Sequence, residues 1–147
     1  GEIIVFKYPL DEKLDYIKRC VAKGDQVLEI KDKEVYVDNV QFPHTPGLNF
    51  VDPRIMKKTE GRYVFPTFNR NKYGSRDNFG PIKIPKNNYF MMGDNRDNSS
   101  DGRQWGFVPH ENVVGKASII YFSWNGNKPW SRFFEKIRIG RMGDIIR

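Results

Sequence analysis

One cysteine and two histidines are all that a chain of 147 residues offers toward sulfur or imidazole chemistry. Cys20 has no second cysteine to pair with, so a disulfide scaffold is excluded, and these residues alone cannot build the usual four-ligand zinc site. Long apolar runs are lacking as well. Runs such as residues 3–6 and 119–122 fall far short of the roughly 20 residues that a bilayer-spanning helix needs. No charged-then-apolar leader with a small-residue cleavage site opens the sequence. It starts on Gly1 without a methionine, which reads as a piece of a longer protein. The core must therefore come from side-chain packing, and a chain of this length suits one compact domain spanning residues 1–147.

Acidic excess is missing too: 25 Lys and Arg against 18 Asp and Glu leave a formal charge of +7. A basic surface suits nucleic acid or anionic lipid. Here the cations are interspersed with acids along most of the chain, and the densest cationic stretch is the tail 132–147. A solvated basic face is the default expectation, with no nucleic-acid partner.

What the chain does have is a succession of short β-branched and aromatic runs. Residues 3–6, Ile-Ile-Val-Phe, form a strand ended by Pro9, and residues 10–14 read as a polar connection. Residues 15–21 alternate as a strand, with Tyr16, Lys18 and Cys20 on one face and Ile17, Arg19 and Val21 on the other. A turn at 23–25 leads to strands at 26–30 and 34–37, a hairpin closed by Lys31, Asp32 and Lys33. Residues from about 38 to 88 hold six of the nine prolines, so an irregular excursion with short strands is expected there, one of them at 62–65. Order returns with an apolar strand at 88–92, a polar loop at 93–103 and a strand within 113–124. Residues 130–139 fit either a short amphipathic helix or an irregular tail. The fold expected is mostly β with little helix, its core drawn from 1–37 and 88–147.

The loop 93–103 packs acids, amides, hydroxyls and arginines into eleven positions. A self-satisfied loop of Asx turns is the plain reading. A calcium loop is the rival, since Asp97, Ser99 and Asp101 alternate and Gly102 takes the sixth place, but the twelfth place, where a bidentate Glu belongs, is Val108. No metal and no cofactor are expected.

Gly93-Asp94-Asn95-Arg96-Asp97-Asn98-Ser99, followed by Asp101 and Arg103, together with the upstream Tyr16-Ile17-Lys18-Arg19, resembles the type I signal peptidases, Ser/Lys proteases that remove leader peptides from exported proteins. The resemblance covers essentially the whole chain and implies that family's folded, barrel-like β-sheet catalytic domain. Carried over position by position, Lys18 matches the general base and Ser99 the hydroxyl that orients it. Asp101 and Arg103 match a structural ion pair, and Asp94 and Arg96 look like further bracing of the loop. Chemistry supports Lys18 independently: a lysine takes a proton from serine only when neutral, and its ordinary pKa of about 10.4 must be depressed by burial.

The family's nucleophilic serine lies in a Ser-Met-x-Pro-type segment preceding the step that Gly1-Glu2 matches, and none of Ser75, Ser99, Ser100, Ser118, Ser123 and Ser131 has that context. The 147 residues alone are therefore expected to be inactive. Two departures from the pattern are local: Ala22-Lys23-Gly24-Asp25 is one residue shorter than the usual Gly-x-Pro-Gly-Asp turn, and Gly102 replaces a frequent serine.

The resemblance further implies secretory preproteins with Ala-x-Ala leaders as partners, bound by β-augmentation beside Asp15, Tyr16 and Ile17. It also implies anchoring in the inner (cytoplasmic) membrane, with the domain on the extracytoplasmic side against the lipid surface. Trp124, Trp130, Phe133 and Phe134 suit an interfacial belt or ordinary packing. A peptide-binding module without catalysis is the alternative on the same fold.

Overall fold

A computed structural model describes residues 1–60, 64–65, 68–69 and 73–117. The elements are β1 (Ile3–Tyr8), β2 (Asp11–Lys23), β3 (Val27–Lys31), β4 (Glu34–Val37), β5 (Val40–Gln41), β6 (Val64–Phe65), β7 (Phe68–Asn69), β8 (Phe79–Lys83), β9 (Asn88–Met92), a single helical turn α1 (Gly102–Trp105), β10 (Val108–Pro109) and β11 (Val113–Lys116). They form a five-stranded sheet in the order β10-β9-β2-β1-β11, a four-stranded sheet in the order β5-β4-β3-β8, and the pair β6-β7, antiparallel throughout. The mostly β expectation holds.

Strand β9 explains how the sheets are welded. Its run Tyr-Phe-Met-Met lacks polar alternation because both of its faces are covered. Phe90 and Met92 enter a core shared with Val21, Leu28, Ile30, Val35, Phe79, Ile82 and Ile84, between the two sheets. Met91 points the other way, to Phe6, Trp105 and Val108. In β2 a register shift between Cys20 and Ala22 lets Val21 and Ala22, neighbours in sequence, both reach the larger core. The β3-β4 hairpin closes through two residues, Asp32 and Lys33, at φ of 47° and 76°, as a primed turn requires.

Two sequence expectations are corrected. Residues 10–14 are not a connection: β2 begins at Asp11, pairing with Tyr8. This arm is exposed on both faces through Asp15, so backbone pairing shapes it without leaving a hydrophobic period. The Pro-rich stretch has short strands as expected, but one of them, Phe79–Lys83, puts Phe79 and Ile82 into a core that was expected to draw on 1–37 and 88–147. Pro81 is tolerated because β8 lies at the edge of its sheet. The expected strand at 113–124 is described as far as Lys116. Its remainder, the 130–139 segment and the four candidate interfacial aromatics lie outside the described residues.

Candidate active site

Lys18 sits on β2 opposite Ile4 of β1, one residue before the ladder with β9 begins at Arg19 and Met92. After Met92 the chain leaves the sheet as the loop 93–103, which folds back over this end of β2. It brings Ser99 to Lys18. The meeting point is at Gly93: a Cβ built there would lie 2.1 Å from Ser99 Oγ and 3.6 Å from Lys18 Nζ. The Ser99 hydroxyl is buried and has no hydrogen-bond partner among the described residues. Gly93 is thus the residue whose missing side chain makes room for the hydroxyl. Gly93→Ala is expected to push Ser99 away, costing about 1–3 kcal/mol of stability as overpacking does. Urea denaturation checks this, and an Ala variant as stable as the native protein would refute the close fit.

Lys18 is half-buried with no ion pair among the described residues. Burial pulls the amine below its ordinary range. Asp101 opposes this, Arg103 adds to it and Asp94 opposes again, with the net shift downward. The Tyr16 ring, 5.9 Å from Nζ, belongs to the smaller core, stacked on Tyr8 and edge-on to Phe6. A cleft of about 290 Å³ opens beside the lysine. Ile3 and Ile17 supply its apolar wall, Asn98 and Ser99 its polar one.

Of the residues singled out from sequence, Lys18, Ser99, Ile17 and Asp94 border this cleft and Tyr16 does not. Asp15 is exposed and pairs with Lys7 at 2.8 Å. Asp101 is fully buried at the head of α1. It accepts from Arg103 Nε at 2.9 Å, Arg103 Nη2 at 2.7 Å and the Gly93 N–H at 3.1 Å. Burial alone would raise this carboxyl; Arg103 and the N–H donors outweigh it and hold the group below the usual range.

Asp94 is braced, and by Arg19: the guanidinium, 2% exposed, grips both carboxylate oxygens at 2.8 and 2.9 Å. Arg96 braces through its backbone, its N–H donating to Asn49 O and its carbonyl accepting from Arg103. Its guanidinium is lowered to about 10, chiefly by burial and then by Arg103. Sequence reasoning missed the part played by Arg19, Ile3 and Asn98. For Arg19 no local signal existed, since its partner Asp94 lies 75 residues away in the chain. Ile3 needed the β1-β2 register, which puts it opposite Arg19.

Residues 1–124 match the family model for signal peptidase, peptidase S26. Signal peptidase I of Pseudomonas fluorescens is 34% identical over 151 residues, spanning 84% of this chain and 49% of that protein, and that of Rickettsia typhi is 31% identical over 170 residues, spanning 97% and 63%. The chain thus spans between about half and under two thirds of the length of these curated relatives. A crystal structure of a signal peptidase I from Enterococcus faecalis superposes with a TM-score of 0.53 at 24% identity, covering 78% of this chain and 92% of that one, and so shares the fold. With the family match running from β1 through the Lys18 strand and the 93–103 loop, the chain belongs to the signal peptidase family, peptidase S26.

Proposed function

We propose that this chain carries the general-base half of a Ser/Lys endopeptidase site that removes N-terminal signal peptides from exported preproteins. The observation that carries the reading is the convergence on one cleft of Lys18, a desolvated amine, and Ser99, a buried hydroxyl, neither with an ion pair or hydrogen-bond partner among the described residues. Neutral Lys18 takes the proton of a serine that lies outside these 147 residues, and the serine oxygen attacks the scissile carbonyl. As the C–N bond breaks, the Lys18 ammonium returns a proton to the leaving amine. A water deprotonated by Lys18 then releases the acyl group, and the serine oxygen regains its proton. Ser99 orients the amine.

Leader binding uses the exposed side of β2. Strand β1 covers one edge of β2 along residues 11–19, whereas β9 covers the other only from Arg19 to Lys23, so no described strand pairs with that second edge over residues 11–18. An extended peptide adds there by main-chain hydrogen bonds. Ile17, 52% exposed, and Ile3 offer apolar walls suited to small side chains such as the alanines of Ala-x-Ala. The substrate is membrane-embedded, which places the working site at the extracytoplasmic surface of the cytoplasmic membrane. The full-length protein is expected to cut an Ala-x-Ala leader peptide after the second alanine, whereas the 147-residue chain binds the peptide without cutting. Mass spectrometry of the products decides. Cleavage by the isolated chain would place the nucleophile within it and overturn this division of the site.

A further inference from the structure

We infer that Lys33, at the tip of the β3-β4 hairpin in the other sheet, is a positioning residue for this site: through Asp97 it holds the loop that presents Ser99 to Lys18. The inference rests on the Ser/Lys reading above and adds to it a residue that touches neither the cleft nor the amine.

The loop is pinned near its ends by the Arg19–Asp94 and Asp101–Arg103 pairs. Between them the chain has no regular structure, and Ser99 lies in that span. Its middle is held by Asp97, whose side chain is 2% exposed. Asp97 accepts from Lys33 Nζ at 2.8 Å and from the N–H groups of Val51 and Asp52 at 2.7 and 2.8 Å. Arg76 Nε stands 3.5 Å from the same carboxylate, Arg76 Nη1 donates to the Asp97 carbonyl, and Arg76 is itself paired with Asp52 and Asp77. Burial would raise the Asp97 carboxyl; Lys33 and the two N–H donors reverse this and keep it ionised. Lys33 Nζ also donates to the Asp52 carbonyl, so one ammonium ties the hairpin both to the loop and to the segment beside it. That segment runs parallel to the loop, with Asn49 N–H to Asp94 O at 2.9 Å and Arg96 N–H to Asn49 O at 3.0 Å.

Two features point from this cluster to Ser99. Ser99 follows Asp97 by two residues, so a displacement of Asp97 has only two residues of chain in which to be absorbed before it reaches the hydroxyl. That hydroxyl has little latitude, being fitted against the bare α-carbon of Gly93. The backbone of Lys33 adds an independent indication. At φ of 76°, in the second place of a primed turn, glycine is the residue of least strain, and a lysine is held there instead. Its side chain, 11% exposed, is what the position supplies.

The charges acting on the Lys18 amine are foremost Asp101, Arg103 and Asp94. A change in Lys18 titration on altering Lys33 therefore reports movement of the loop. The test compares native protein, Lys33→Met, Asp97→Asn and the double variant in the full-length enzyme, using an Ala-x-Ala leader peptide and urea denaturation, with Lys18→Met as control. Each single variant leaves a buried charge short of a partner and loses stability, and the double variant, lacking both charges, regains much of it. If Lys33 positions the loop, the double variant does not regain activity. Its kcat stays on the order of 10- to 100-fold below native with KM little changed, and the acid limb of kcat/KM moves to higher pH as Lys18 gains water. Lys33→Arg, which keeps the charge, recovers part of the rate. If activity and the acid limb return with stability in the double variant, or never change in any of them, Lys33 is structural only and the inference is overturned. Should Lys18→Met cut as well as native, the Ser/Lys reading itself fails, an outcome separate from any result at Lys33.

Discussion

Lys18→Met in the full-length protein is expected to lower leader-peptide cleavage by about 10²- to 10⁴-fold, the usual worth of a general base, while raising resistance to unfolding. The second half of this expectation follows from the first. Burial holds the Lys18 amine below its reference value of 10.5, so the folded state binds that proton less tightly than the unfolded chain does. Between the depressed folded value and 10.5 the unfolded state carries more protons, and stability rises with pH across that interval. Below the interval the penalty is present in full; above it both states are neutral and the penalty vanishes. Methionine keeps the bulk and removes the titration. A gain is expected at neutral pH, and it shrinks toward alkaline pH. Denaturant midpoints for both proteins at neutral pH and near pH 10.5 check the sign. A less stable methionine variant at neutral pH would mean that the amine is held by favourable contacts and is not desolvated, and with that the physical basis for a neutral base would be lost. If Lys18 is the base proposed above, the acid limb of kcat/KM is expected below 10.5.

How far this was legible from sequence differs from element to element, for reasons of range. Strands β1, β3, β4 and β9 show in the sequence because each is a short β-branched or aromatic run bounded by turn residues, a purely local signal. The first residues of β2 leave no such mark: Asp11, Glu12 and Lys13 are strand only because β1 lies alongside. Strand β8 was hidden behind Gly80 and Pro81, which read as punctuation until the edge position of the strand is known. Lys18 and Ser99 stood out through the resemblance, and their convergence depends on the β9 ladder stopping at Met92. The partners of the loop acids were the least legible. Asp94 finds Arg19 and Asp97 finds Lys33, contacts set by the register of segments 75 and 64 residues apart, which no local pattern encodes.

Asp101→Asn is expected to be the most costly single change in the loop, and to act on the base in the opposite sense to its effect on the fold. The carboxylate is wholly buried and Arg103 is 3% exposed, so removing the charge leaves a guanidinium uncompensated in the interior. Breaking such a pair from one side costs about 3–5 kcal/mol, a large share of the roughly 5–15 kcal/mol by which a domain is stable. The asparagine amide cannot restore it. Both carboxylate oxygens now accept from donors, Oδ1 from Arg103 N–H and Nε, Oδ2 from Gly93 N–H and Arg103 Nη2, so a side-chain NH₂ in either place meets N–H groups. The pH dependence follows from the sign of the shift. Because the folded value of Asp101 is depressed below its reference of 3.8, its contribution is complete above that value and is lost as pH falls through the lower folded one. The difference between native and variant should therefore be widest near neutrality and narrow in acid below 3.8. At the site, Asp101 is the foremost charge holding the Lys18 amine up against its desolvation, so without it the amine falls further. The acid limb of kcat/KM then moves to lower pH even as the protein becomes easier to unfold. Urea midpoints at neutral and acidic pH, with the pH profile of the surviving folded enzyme at low temperature, test both halves. An unchanged midpoint would deny that the Asp101–Arg103 pair holds the loop, and an acid limb that moves upward would mean that the loop opens and readmits water to Lys18 faster than the lost charge lowers it.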